Sequence, residues 1–146
     1  MVTELRIVID TGVAISAALL PRSVPRQAFD AAASHGRLLV SEATTMELDD
    51  VFRRPKFNKY VAEENRLEFL AALVRDAELV EVTARFAECR DAKDDKFLEL
   101  AVSGQATHII SGDGDLLVLH PLRSIDIVTP QAFLALARVS TNVGLP

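Results

Sequence analysis

The sequence predicts an α/β fold in which a mostly parallel central sheet lies between layers of helices. Three observations lead there. The run Arg6-Ile7-Val8-Ile9 is β-branched and nearly uninterrupted, which suits a parallel strand covered on both faces better than a half-exposed edge, where polar residues would alternate. Strand-like and helix-period segments alternate along the chain, the signature of βαβ units. Prolines stand at helix starts and glycines at helix ends, as the unsatisfied backbone groups of helix termini favour.

In chain order, Asp10-Thr11-Gly12 is a turn after the first strand, and Val13 to Leu20 is a short apolar helix closed by Pro21 and the turn-like Arg22-Ser23-Val24. Pro25 opens a second helix to about His35 with Gly36 as its stop, and Leu38-Leu39-Val40 is a brief strand. A third helix runs from about Glu42 to Arg53 and is ended by Pro55; a fourth covers roughly Ala62 to Arg75. Leu79-Val80-Glu81-Val82 is strand-like, and Cys89 to Asp94 is a polar loop. Phe97, Leu98, Ala101 and Val102 give Asp95 to Ser103 a helical period, Gly104 stops it, and His108-Ile109-Ile110 is another strand. Ser111-Gly112-Asp113-Gly114-Asp115 is turn chemistry. Ile125-Asp126-Ile127-Val128 is the last strand; Thr129 caps and Pro130 opens a helix to about Val139. One domain over residues 1–139 is expected, with a frayed tail at 140–146.

Composition narrows the function classes. At 146 residues, 49% hydrophobic and 25% charged, the chain is long enough to bury a real core and is not a disordered tail. A net charge of −5 argues against coating nucleic acid by bulk electrostatics, so a polyanion must meet a local basic patch. The single Cys89 excludes an internal disulfide and a Cys-rich zinc site. Met1-Val2-Thr3-Glu4 has neither a basic n-region nor a long apolar run, so no signal peptide and a cytoplasmic location are expected. No stretch reaches the roughly 18 apolar residues of a membrane span; the best one is interrupted by Asp10 and Arg22.

Asp10 is the first chemical signal, because ligands of open α/β sheets bind at the carboxyl ends of strands. Its candidate companions also stand at element ends: Glu47 in the third helix, Asp94 and Asp95 opening a helix, Asp113 and Asp115 after a strand. Carboxylates brought together repel by roughly 4 kcal/mol per pair at about 4 Å and an effective dielectric near 20, so such a cluster needs a cation. Oxygen-only ligation selects Mg²⁺ or Mn²⁺ over zinc, and His35, His108 and His120 lack metal-ligand spacing. Each acid also has a structural explanation. Thr44-x-x-Glu47 has capping-box spacing, Asp94 and Asp95 suit the positive end of a helix, and Ser-Gly-Asp-Gly-Asp suits a turn.

Ile9-Asp10-Thr11, Thr44-Thr45-Met46-Glu47-Leu48, the block from Arg90 through Asp94-Asp95-Lys96-Phe97-Leu98 to Ala101, and Ile110-Ser111-Gly112-Asp113-Gly114-Asp115-Leu116-Leu117 resemble the successive motifs of PIN-domain nucleases. Within that family the likeness is to the prokaryotic toxins of toxin–antitoxin pairs, similar to VapC. The resemblance implies a PIN-like three-layer α/β/α fold and an Mg²⁺- or Mn²⁺-dependent ribonuclease. Asp10, Glu47, Asp95 and Asp113 would be its catalytic and metal-binding acids, with Thr11, Ser111, Asp94 and Asp115 in support. It also implies an RNA substrate and a small antitoxin partner; a homodimer is a candidate from the apolar Val13–Leu20 and Phe69-Leu70-Leu73 faces. Asp113 is expected to touch the metal, whereas Asp115, ahead of Leu116-Leu117, is expected to cap a helical turn.

One departure from the family pattern is Gly12, where Asn is common, and it brings rival readings. Asp10-Thr11-Gly12 imitates the signature of aspartic proteases, which resemble all-β folds, unlike this chain of several helix patterns. A haloacid-dehalogenase-like phosphatase would need a second Asp where Gly12 stands. A non-catalytic PIN-like binding module is the nearer alternative. Arg53, Arg54, Lys56 and Lys59 are the densest basic run and candidate phosphate contacts, with a solvated helix end as the competing explanation. The Val13–Leu20 helix and the Phe69-Leu70-Leu73 face serve equally as partner surfaces or as core.

Overall fold

A computed structural model of the protein describes residues 4–86 and 94–143, with side chains through Arg138. Cys89 and most of the polar loop around it, and with them Arg90 to Lys93 of the third motif, lie outside the described residues, as do residues 144–146. The strands are β1 (Leu5–Ile9), β2 (Gly36–Val40), β3 (Glu78–Leu79), β4 (His108–Ile110) and β5 (Asp126–Val128). They form one sheet in the order β3-β2-β1-β4-β5, and every ladder is parallel. The helices are α1 (Thr11–Leu19), α2 (Val24–His35), α3 (Glu42–Phe52), α4 (Glu63–Asp76), α5 (Asp95–Ser103), α6 (Gly114–Leu117) and α7 (Pro130–Val143).

The period-2 geometry of β1 explains why its sequence is apolar throughout. Val8 faces a cluster with Ile109, Ile127, Phe97, Leu98 and Ala101 on one side of the sheet. Ile7 faces Ile110, Ala28, Ala32, Phe133 and Ala137 on the other. Both Ile7 and Val8 are fully buried, and a strand with helices on each face has no solvent side to make polar. A third cluster joins Ala14, Ile15 and Ala18 of α1 to Leu48, Val51 and Phe52 of α3 and Leu70 and Leu73 of α4. The two faces that the sequence offered to a partner are therefore interior: the α1 residues and Leu70-Leu73 pack against each other, and the Phe69 ring lies 5.0 Å from that of Phe29.

Local chemistry sets the helix boundaries. Ser23 caps α2, accepting from the Arg26 N–H at 3.2 Å with Pro25 in the first turn. Thr129 caps α7 through the Ala132 N–H at 3.1 Å, and that helix runs on to Val143, past the predicted end near Val139 and into the expected tail. Gly36 is the C-cap of α2, as its position suggests, with its N–H on the Ala32 carbonyl, and it has a second duty. It is the first residue of β2 in extended backbone, and a Cβ there would meet the Leu5 carbonyl oxygen at 2.5 Å and Leu5 Cβ at 2.7 Å. Glycine is needed for the close approach of β2 to β1, with which it pairs at Leu5. The predicted strand at Leu79–Val82 shrinks to Glu78–Leu79, and its ladder ends with the Val80 N–H on the Val40 carbonyl at 2.8 Å.

The strand order opens a place for a ligand. From β1 the chain passes through α1 and α2 to β2 on one side, and later returns through α5 to β4 on the other. The point between β1 and β4 is where connections diverge, and it leaves a crevice beyond the carboxyl ends of those two strands.

Candidate active site

Asp10 leaves β1 at this crevice and is the N-cap of α1, its Oδ1 accepting the Val13 N–H at 2.8 Å. Its Oδ2 accepts the hydroxyl of Ser111, the residue that leaves the neighbouring β4. Ser111 is fully buried, and its Oγ in turn accepts the Asp113 N–H at 2.9 Å. One serine thus ties the end of β1 to the turn after β4. Burial pushes the Asp10 carboxyl up from its ordinary range. Hydrogen bonds from Ser111 and from the Val13 and Gly112 backbone oppose that rise, and the charge of Asp113 adds to it.

Glu47 reaches the same place from α3. One carboxylate oxygen accepts the Thr11 hydroxyl, and the other lies 2.7 Å from Lys96 Nζ on α5. It has no capping duty, because the capping box of α3 is made by Ser41 and Thr44, with Thr44 N–H on Ser41 Oγ at 3.2 Å and Ser41 N–H on Thr44 Oγ1 at 2.9 Å. The Thr44-x-x-Glu47 spacing is incidental.

Two sequence assignments change. Asp94, not Asp95, lines the cleft; Asp95 is buried in the first turn of α5. The signal was present, since Asp94, Phe97, Leu98 and Ala101 fall at i, i+3, i+4 and i+7, one stripe of a helix, and the last three are core. The second change concerns the turn after β4. Asp113, not Asp115, is the N-cap of α6, accepting the Asp115 N–H at 2.8 Å. The turn places Asp115 two residues past the cap position, inside the helix, and its carboxylate joins Asp94 and Asp113 in a group whose oxygens lie within 4.8 Å of one another.

The structure therefore brings Asp10, Glu47, Asp94 and Asp113, with Thr11 and Gly12, to the wall of one cleft of about 430 Å³. The donor set fits a hard divalent ion: oxygen ligands of three aspartates close enough to share a cation, beside a buried fourth whose charge is costly without one. A larger groove of about 660 Å³ lies beyond Glu47 and Lys96, lined by Met46, Leu79 and Val82 among others, so size alone does not locate the chemistry.

The basic run is not at the cleft. Arg53 and Arg54 pair with Asp49 and Asp50 at 3.1 and 3.0 Å, one turn earlier on α3. Lys56 and Lys59 lie over the rings of Phe57 and Tyr60. These contacts match a solvated helix end better than a phosphate track. The histidines hold structure: His35 Nδ1 meets the Ala31 carbonyl at 2.9 Å, His108 Nδ1 meets Thr107 Oγ1 at 2.8 Å, and His120 Nδ1 accepts the Ile127 N–H at 2.9 Å.

Comparison with known proteins agrees with this geometry. A family model described as PIN domain matches residues 6–115. The uncharacterised protein MJ1680 of Methanocaldococcus jannaschii is 33% identical over 118 residues, covering 80% of this chain and 76% of its own. Among solved structures, PAE2754 from Pyrobaculum aerophilum superposes with a TM-score of 0.65 at 13% identity, covering 92% of this chain and 96% of that one. The structure of VapBC2 from Rickettsia felis bound to a DNA fragment from their promoter gives a TM-score of 0.59 at 12% identity, covering 84% and 97%. At these identities the structural likeness speaks for the fold.

Proposed function

The chain belongs to the PIN-domain family, and on that premise we propose that it is a divalent-metal-dependent ribonuclease and the toxin of a toxin–antitoxin pair. The observation that carries the reading is the convergence of Asp10, Glu47, Asp94 and Asp113 from separate stretches of chain on one cleft at the switch point of the sheet. Asp94, Asp113 and Asp115 would hold the ion, with Asp10 and Glu47 supplying further negative charge. A bound Mg²⁺ or Mn²⁺ supplies the means to activate water for attack on a phosphodiester and to stabilise the leaving oxygen.

The chain's own groups prepare the site. Ser111 fixes the rotamer of Asp10, so that this acid does not reorganise when a cation arrives, and Thr11 holds one oxygen of Glu47. Asp10 is held by its α1 cap as well, which keeps it aimed along the cleft. Gly12 leaves room at the mouth: a Cβ there would meet only Asp10 Oδ1, at 3.7 Å. The distance of Arg53 and Arg54 from the cleft, and their pairing with aspartates, favours substrate held chiefly through the ion rather than through a basic track. The likeness to the VapBC2 structure supports a small protein partner for this chain. A toxin acting on RNA would do its work in the cytoplasm.

The test is purified protein with RNA, with and without Mg²⁺ or Mn²⁺, beside Asp10→Asn. Cleavage should require the ion and vanish in the variant while the fold persists; metal-independent cleavage would sink the reading. Expression should slow growth and a neighbouring-gene protein should relieve the arrest. A harmless chain without such a partner would remove the toxin role and leave the nuclease.

A further inference from the structure

Lys96 brings a positive charge up to Glu47 from the groove beside the acid cleft. Its Nζ lies 2.7 Å from Glu47 Oε1, with the side chains 26% and 22% exposed. The other oxygen of Glu47 takes the Thr11 hydroxyl, so both oxygens of this carboxylate are engaged, one from α1 and one from α5. Glu47 lines the cleft, while Lys96 lines the neighbouring groove beside Ala43 and Met46; the pair stands between the two cavities. Glu47 is also outside the group of Asp94, Asp113 and Asp115 whose oxygens approach within 4.8 Å.

We propose that Lys96 is a resident counter-cation that neutralises Glu47 and ties it to the cleft wall, so that a divalent ion entering the cleft competes with a charge partner already in place. The proposal rests on the metal-dependent reading above and adds a regulator of loading to it. Two physical effects act in the same direction. The ammonium lowers the negative charge that attracts the ion, and a unit charge within several ångströms of a divalent ion shifts its affinity roughly tenfold even under the screening of water. The Lys96–Glu47 pair, at three-quarters burial, also has a stability of its own that is given up if Glu47 turns to the ion. Lys96 is a positioning residue in this account: it acts through Glu47.

The experiment titrates the full chain with Mn²⁺ by calorimetry and follows thermal melts with and without the ion, for wild type, Lys96→Met, Lys96→Arg and Glu47→Gln. Lys96→Met should bind Mn²⁺ roughly tenfold more tightly. Its metal-free melting temperature should fall by roughly 2–4 °C, the shift that loss of one partly buried ion pair gives a chain of this size. The fall should disappear in a Glu47→Gln background and at saturating Mn²⁺. Lys96→Arg keeps the charge and should track wild type in affinity, which a packing role of the lysine stem would not require. Unchanged or weaker Mn²⁺ binding by Lys96→Met, with wild type binding normally, overturns the proposal and leaves the nuclease reading standing. Failure of wild type itself to bind Mn²⁺ overturns both.

Discussion

Ser111→Ala removes the strut between the two halves of the site. The serine hydroxyl donates to Asp10 and its oxygen accepts the Asp113 N–H at 2.9 Å, with no solvent exposure to replace either bond. A hydrogen bond to a charged group contributes about 1.5–3 kcal/mol and a neutral one about 0.5–1.5 kcal/mol. The Val13 and Gly112 N–H groups still reach Asp10, so the expected loss is about 2–3 kcal/mol, or roughly 4–12 °C in melting temperature. The cost should depend on pH. Burial raises the folded-state pKa of Asp10 above its ordinary 3.8, so the folded state holds the proton longer than the unfolded chain, and stability falls as pH rises from about 3.8 through the raised value. Without the Ser111 hydroxyl the folded pKa rises further, so the variant goes on losing stability after wild type has levelled off. The difference between the two should widen with pH across that window and then stay constant. Urea unfolding in a metal chelator from pH 4 to 8 measures it; a difference below about 0.5 kcal/mol, or one independent of pH, would refute the account of Ser111 as the group that keeps Asp10 charged.

Three further outcomes are expected. Asp113→Ala should cost about 0.5–2 kcal/mol through loss of the α6 cap and also weaken Mn²⁺ binding, whereas Asp115→Asn should weaken Mn²⁺ binding and leave the melting temperature nearly unchanged; calorimetry and melts on both variants separate the two roles. Gly12→Ala should stabilise by about 0.4–1 kcal/mol, because Gly12 is helical and an added Cβ has its nearest neighbour at 3.7 Å; a lowered melting temperature would mean that the position needs glycine. Glu78 is held below its ordinary 4.5, chiefly by its hydrogen bond with Arg6. The stabilisation is present above about pH 4.5 and is lost as pH falls through the depressed value. With Glu78 39% exposed, Glu78→Gln should cost only about 0.2–1 kcal/mol at pH 7, and the cost should shrink as pH falls through the depressed value, by paired urea curves.

The fold was legible because its signals are local. Isoleucine and valine runs mark β1 and β4, and α5 (Asp95–Ser103) has the bounds that its apolar period and Gly104 predict. What stayed hidden depends on contacts between distant segments. Gly36 reads as a helix stop, and it is one, but its second duty, the close approach to Leu5, appears only when β1 is laid beside it. Asp94 shares a helical stripe with Phe97, Leu98 and Ala101, but that this stripe leads to the cleft shows only once those three are seated on the sheet. Lys96 gave no sign at all, since its partner Glu47 is 49 residues away. The cap of α6 falls to Asp113 and not to Asp115 because the observed bond reaches forward two residues rather than three, while both acids stay in the cluster.

Asp10 and Ser111 are 101 residues apart in sequence, and their contact closes only when β4 has docked beside β1. On a ribosome, where the chain emerges from its amino end, the first acid is exposed long before the later acidic stretches exist. A growing or truncated copy thus carries the ingredients of the cleft without the cleft, and loop closure over most of the chain must precede any assembled acid cluster. The sequence separation thus acts as a timer, since the cleft cannot assemble until Ser111 and the turn after β4 have left the ribosome.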